Sequence, residues 1–184
     1  MEEWITNTES EPREEKITLS ELLPLIEEVI GGGKSFRLFP MGKSMLPLLC
    51  EGRDSVMLVS PTLKAFKTGD MLLYRRKDGA FVLHRVVRAE GDGTLTMRGD
   101  NQYYDEKGVL PETVIALVCG FYRKGRYQDC EKSFSYRFYL WRRRLSYPIR
   151  RFFFRLLHRL HPLGTLHLIY QCISCLKDFF FFFH

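Results

Sequence analysis

Apolar and polar positions along this chain follow two different periods, and the switches between them divide it into three parts. Leu19, Leu22, Leu23, Ile26 and Ile30 recur at helical spacing, which places them on one face of an α-helix. Thr18-Leu-Ser-Glu21 has the form of a capping box, and Gly31-Gly-Gly33 ends the run. Pro24 falls near the first turn and weakens the pattern without breaking it.

From Ser35 the period drops to two. Phe36 and Leu38 alternate with polar partners, and short apolar runs follow at 54–60, 71–74, 81–89, 94–98 and 114–122. Gly69-Asp70, Lys77-Asp78-Gly79 and Glu90-Gly-Asp-Gly93 separate them as turn signals. Short strands at this density predict a compact, mainly β domain. After about Lys132 the pattern changes again, as Phe134, Tyr136, Phe138, Tyr139, Trp141 and Tyr147 interleave with arginines. Beyond Pro148, Ile149, Phe152, Phe153, Leu156 and Leu160 share one helical face while Arg151, Arg155 and Arg159 share another. The expected organisation is a polar arm and helix over 1–33, a β domain over 34–131 and a basic, aromatic, helical tail over 132–184.

Composition refines this picture at three points. With 184 residues, 45% hydrophobic and 27% charged, the chain can bury one sizeable core. The net charge of +6 is unevenly spread: residues 1–131 hold 18 Lys and Arg against 21 Asp and Glu, whereas residues 132–177 hold 10 and no acid. An anionic partner is therefore expected at the tail, an anionic membrane surface before a nucleic acid, because the tail's apolar face is large and continuous. The acidic first fifteen residues carry no signal-peptide pattern, and Leu163–Phe183 is interrupted by His167, Lys177 and Asp178. Five cysteines in irregular array predict no disulfide framework, and Cys172-x-x-Cys175 lacks a second pair at zinc spacing, so neither a metal nor a cofactor is expected.

Candidate chemistry centres on Gly42-Lys-Ser44-Met45-Leu-Pro47. Glycine before the hydroxyl allows a tight turn and proline after it stiffens the exit, so Ser44 could project outward as a nucleophile. A serine nucleophile needs a base. His84 interrupts the otherwise apolar run Val82–Val87 and is the only histidine of the β domain. Burial there requires a polar partner. Asp100, directly after the next strand, is the expected orienting group if antiparallel pairing brings it beside His84. Lys43 abuts the serine and Arg85 does not deprotonate, so neither suits the role of base.

Taken together, Gly42-x-Ser44-Met45-x-Pro47, Gly69-Asp70-Met-Leu-Leu-Tyr74, His84-Arg85-Val86-Val87 and Gly99-Asp100-Asn101 resemble the successive boxes of the type I signal peptidases. Their clan also holds the self-cleaving SOS-type repressors. The resemblance covers residues 36–122. Most bacterial members place a lysine where this chain has His84, so the variant resembles the endoplasmic-reticulum type, which uses serine, histidine and aspartate. It implies a signal-peptidase-like β fold and a second acid at Asp105 or Glu106, with the register favouring Glu106. It further implies substrate contacts from Gly42, Met45 and Pro47, and peptide bound as an added strand. The expectation is a membrane-associated serine endopeptidase that cuts a leader or signal-like peptide in a precursor protein. Arginines before the apolar segment place its domain on the cytoplasmic side. A non-catalytic binding module that keeps the fold is the alternative, and a repressor is a weaker third reading, since only one helix precedes Ser44.

Overall fold

The computed structural model describes residues 18–160. The arm over 1–16, the Cys172-x-x-Cys175 pair and the apolar stretch 163–183 lie outside the described residues. Helix α1 spans Leu19–Gly31 and starts on the capping box: Thr18 accepts from the Glu21 N–H while the Glu21 carboxylate accepts from Thr18 N–H at 2.7 Å. Ile26 and Ile30 are its buried residues.

Eight strands follow among the described residues: β1 (Phe36–Leu38), β2 (Ser55–Val59), β3 (Met71–Arg75), β4 (Phe81–Ala89), β5 (Leu95–Arg98), β6 (Glu106–Val109), β7 (Val114–Arg123) and β8 (Arg126–Asp129). They form one antiparallel sheet in the order β1-β2-β7-β3-β4-β5-β6, with β8 beside β7. The fold is mainly β, as the alternating pattern implied. Both faces of the central strands are buried, which is why β3 reads as a continuous apolar run. Met71, Leu73 and Leu83 point to one core with Ile26, Ile30, Met45 and Leu49. Leu72, Tyr74, Val86 and Met97 point to a second core built from the sheet's own strands and Phe66, so the sheet curls around it.

Helix α2 runs from Phe134 to Leu160 through Pro148 without interruption. Ser133 starts it, its hydroxyl accepting from Tyr136 N–H at 3.3 Å and its carbonyl from Arg137 N–H at 3.1 Å. The helical tail expected from about Lys132 thus starts at Phe134, ahead of the single face that periodicity resolved after Pro148. Its Tyr136 and Tyr139 belong to the first core. The segment expected as a separate tail is therefore joined to the β domain along its first turns. Among the described residues no helix is long and apolar enough to cross a membrane.

Candidate active site

Ser44 sits on the turn between β1 and β2. Gly42, at φ 84°, opens that turn and donates its N–H to Glu51 at 2.9 Å. A side chain is disfavoured at this backbone angle, which accounts for the glycine. Beyond Ser44 the chain turns inward, so that Met45, Pro47, Leu48 and Leu49 are all buried. Among the described residues the Ser44 hydroxyl and the N–H groups of Ser44 and Met45 make no hydrogen bonds within the protein.

The turn is fixed from below by Gly99-Asp100-Asn101. Asn101 N–H donates to the Ser44 carbonyl at 2.7 Å, and a Cβ on Gly99 would stand 2.7 Å from that same oxygen. Glycine is thus required for the loop to approach the serine turn this closely. Ser44 and His84 line one cleft of about 500 Å³. Leu38, Phe39, Met41, Leu73 and Phe81 give the cleft its apolar lining, and Arg76 and Gln102 add polar groups. Phe39 and Met41, on the rim, are among the exposed large apolar residues.

Strand register decides which polar groups meet His84. Pairing of Leu72 with His84 and of Tyr74 with Val82 places Tyr74 diagonally across from His84 on one face. Val86 pairs with Met97, and Met97 with Glu106, which carries Glu106 to that same face. The result is a chain of contacts. The Tyr74 hydroxyl donates to Glu106 Oε2 at 2.8 Å and lies 3.2 Å from His84 Nδ1. Because the one hydroxyl proton goes to the carboxylate, Tyr74 can meet Nδ1 only as an acceptor, so Nδ1 carries the imidazole proton. Nε2 is left with its lone pair free, the form a general base needs.

Glu106 Oε2 itself lies 3.9 Å from Nδ1 and is held by Arg76 at 2.7 Å. Burial, then the positive charge of Arg76, lowers the His84 pKa to about 4, so the ring is neutral at pH 7. Burial and the neighbouring Glu106 carboxylate push the Tyr74 hydroxyl up, so it keeps its proton.

Asp100 lies elsewhere. Arg85 pairs with Arg98 across β4 and β5, and alternation puts Asp100, two residues on, with Arg85 rather than with His84. Its carboxylate accepts from Arg85 Nε at 2.8 Å and Nη2 at 2.7 Å, and from Tyr139 at 2.8 Å, with Arg143 Nε at 3.2 Å. Burial alone would raise its pKa, but Arg143 and Arg85 bring it down to about 2. Asp100 therefore joins α2 to the loop under Ser44, and its carboxylate does not bond the imidazole. Asp105 pairs with Arg98 at 2.9 Å, also away from His84.

Of the residues expected to meet substrate, Gly42 and Met45 line the cleft, whereas Pro47 is buried behind it after a cis Leu46–Pro47 bond. Tyr74, Arg76, Phe39 and Met41 were not anticipated. Among the described residues no cluster of side chains could hold a metal ion.

A mainly β fold with a turn-borne serine and a neutral, buried histidine on one cleft has the make-up of a serine peptidase. The family model of the Peptidase S24-like proteins matches residues 1–119, well over half the chain, which belongs to that family. The match takes in Ser44, His84 and Glu106 and stops before α2. No curated protein and no solved structure matches the chain significantly.

Proposed function

We propose that the chain is a serine endopeptidase in which Ser44 is the nucleophile and His84 its general base. The observation that carries this reading is the Glu106–Tyr74–His84 relay, which leaves Nε2 unprotonated on a ring that lines the same cleft as Ser44. Ser44 Oγ attacks the peptide carbonyl as its proton passes to Nε2, forming the Oγ–C bond and an oxyanion. The N–H groups of Ser44 and Met45 are the donors available to that oxyanion. Collapse breaks the C–N bond, and the imidazolium returns its proton to the departing amine. Water then hydrolyses the acyl-enzyme by the same route, with His84 taking the water's proton. During each step the Glu106 charge, passed through the Tyr74 hydroxyl, stabilises the imidazolium.

The substrate in this reading is a leader or signal-like peptide bound in extended form. Among the described residues β1 pairs with β2 alone, and its other edge runs directly into the cleft. The apolar lining suits small or apolar side chains ahead of the cut. Ser44→Ala and His84→Ala should each abolish cleavage of such a peptide while leaving the fold intact by circular dichroism. A serine-directed phosphonate should label Ser44 in the wild-type chain. Undiminished cleavage by Ser44→Ala would exclude the mechanism, and absence of any phosphonate adduct would favour a binding module that keeps the peptidase fold.

A further inference from the structure

Helix α2 is arranged inside out. A helix lying on a soluble domain normally turns its apolar stripe inward and its charges outward. Here the inward face carries Tyr136, Tyr139, Arg143 and Tyr147, which bond Arg85, Asp100 and the Tyr103 carbonyl. The outward face carries Phe134, Phe138, Trp141, Leu145, Ile149 and Phe152, all exposed, from 80% for Phe134 to 52% for Phe138. Their spacings of four, three, four, four and three residues keep them in one row. That row is about 27 Å long at 1.5 Å per residue. Isolated exposed apolar residues are ordinary, but a continuous row of six marks an interaction surface.

Charge indicates what covers it. From 134 to 160 the helix has eight arginines and no acidic residue. Arg137, Arg144 and Arg155 are exposed along one margin of the row, and Arg142 stands on the other. Apolar side chains flanked by guanidiniums, with an indole in the row, suit the boundary between acyl chains and phosphates. A second copy of the same acid-free helix would bring like charges together.

We infer that the outer face of α2 docks on an anionic lipid surface, lying in its plane. The helix does not insert, since its arginines keep it from crossing. This holds whether or not Ser44 is a nucleophile. Docking would also fix the cleft relative to the bilayer. Arg143 on the inner face holds the Asp100 loop, and the next residue, Asn101, holds the Ser44 carbonyl. Two contacts therefore separate the lipid-facing helix from the serine turn.

The test uses the full chain carrying Trp4→Phe, so that Trp141 is the sole indole, and flotation with vesicles of phosphatidylcholine containing about 30% phosphatidylserine, or none. Binding to the anionic vesicles is expected, with a blue shift of Trp141 emission and weakening at about 0.5 M salt. Trp141→Ser/Leu145→Ser, read by flotation, should lower the affinity at least about tenfold. Both positions are exposed, so the fold should persist by circular dichroism. Arg137→Gln/Arg144→Gln should remove most of the preference for phosphatidylserine. Four results would overturn the inference. They are no binding by the parent chain, equal binding to neutral vesicles, and full binding by the Trp141→Ser/Leu145→Ser variant, which would move the lipid contact to another segment. The fourth is a lipid-free dimer that this variant turns into a monomer.

Discussion

His84 and Arg85 are neighbours on one strand, yet they serve two unlike polar clusters on opposite faces of the sheet. Beside His84 stands the Glu106 carboxylate, reached through a tyrosine hydroxyl and partly open to solvent, with a side-chain exposure of 24%. Around Arg85 there is a fully buried carboxylate, Asp100, clasped by two guanidiniums and a tyrosine. The first cluster leaves a nitrogen uncommitted beside a cleft. The second is closed on itself and bonds a helix to a loop. A buried acid near a candidate serine is therefore not by itself the orienting member of a triad. What separates the two roles is the number of cations at the acid and the sheet face on which it lies.

Removing each acid in turn should expose the contrast. Asp100→Ala leaves two buried guanidiniums uncompensated, which costs about 3–5 kcal/mol. Thermal unfolding should then fall by roughly 10 °C or more, while molecules that remain folded in the cold keep most of their kcat. A kcat collapse with unchanged unfolding would assign Asp100 to the chemistry instead. Tyr74→Phe should do the reverse. It removes the acceptor for Nδ1–H, a buried bond to a group that would become charged in the proposed reaction, worth about 1.5–3 kcal/mol. A loss in kcat of about 10- to 100-fold is expected, with little change in KM. Glu106→Gln should fall in the same range, and an effect on KM alone in either variant would remove the relay.

The two clusters also titrate in different windows. Asp100, held at about 2, contributes stability that is fully present above its unfolded value near 3.8 and is lost as pH falls through about 2. His84, held at about 4, stays neutral in the fold while the unfolded chain protonates at 6.5, so its share of stability is lost between pH 6.5 and 4. Cleavage by neutral His84 should keep an acid limb near pH 4 in kcat/KM, where an unperturbed histidine would give 6.5. Arg76→Gln removes a positive charge that opposes the imidazolium, so the limb should move toward neutral. A limb that stays in place would show that Arg76 does not set the histidine. This is the smallest of the expected effects.

Much of the fold was legible in the residues, because α1 and strands β2–β5 and β7 combine strong periodicity with clear punctuation. The capping box at Thr18 and the span Phe81–Ala89 agree with the pattern to the residue. β6 and β8 were not legible. Glu-Lys-Gly-Val and Arg-Tyr-Gln-Asp are short and polar, lie at the margins of the sheet, and present no alternating apolar face. What was hidden in α2 is its orientation, because its apolar row faces out and its buried row is made of tyrosine and arginine, which blurs the helical period.

At the site, glycine and proline around Ser44 and a lone histidine in an apolar strand could be read directly. Pairing by proximity suggested Asp100 for His84, but the choice depends on register, and a shift of one position changes the face. The signal that was present and unused is the Lys77-Asp78-Gly79 turn. A hairpin closed there pairs Leu72 with His84 and so sets Tyr74 beside the ring.

The protonation state of the His84 ring tests the relay most directly. In ¹⁵N-edited NMR of the ring at pH 7, a hydroxyl that donates to Glu106 requires Nδ1 to carry the proton and Nε2 to show the shift of a bare nitrogen. Tyr74→Phe should then redistribute the proton between the two nitrogens. A wild-type ring protonated on Nε2, or doubly protonated at pH 7, would contradict the Glu106–Tyr74–His84 relay and with it the role of His84 as base to Ser44.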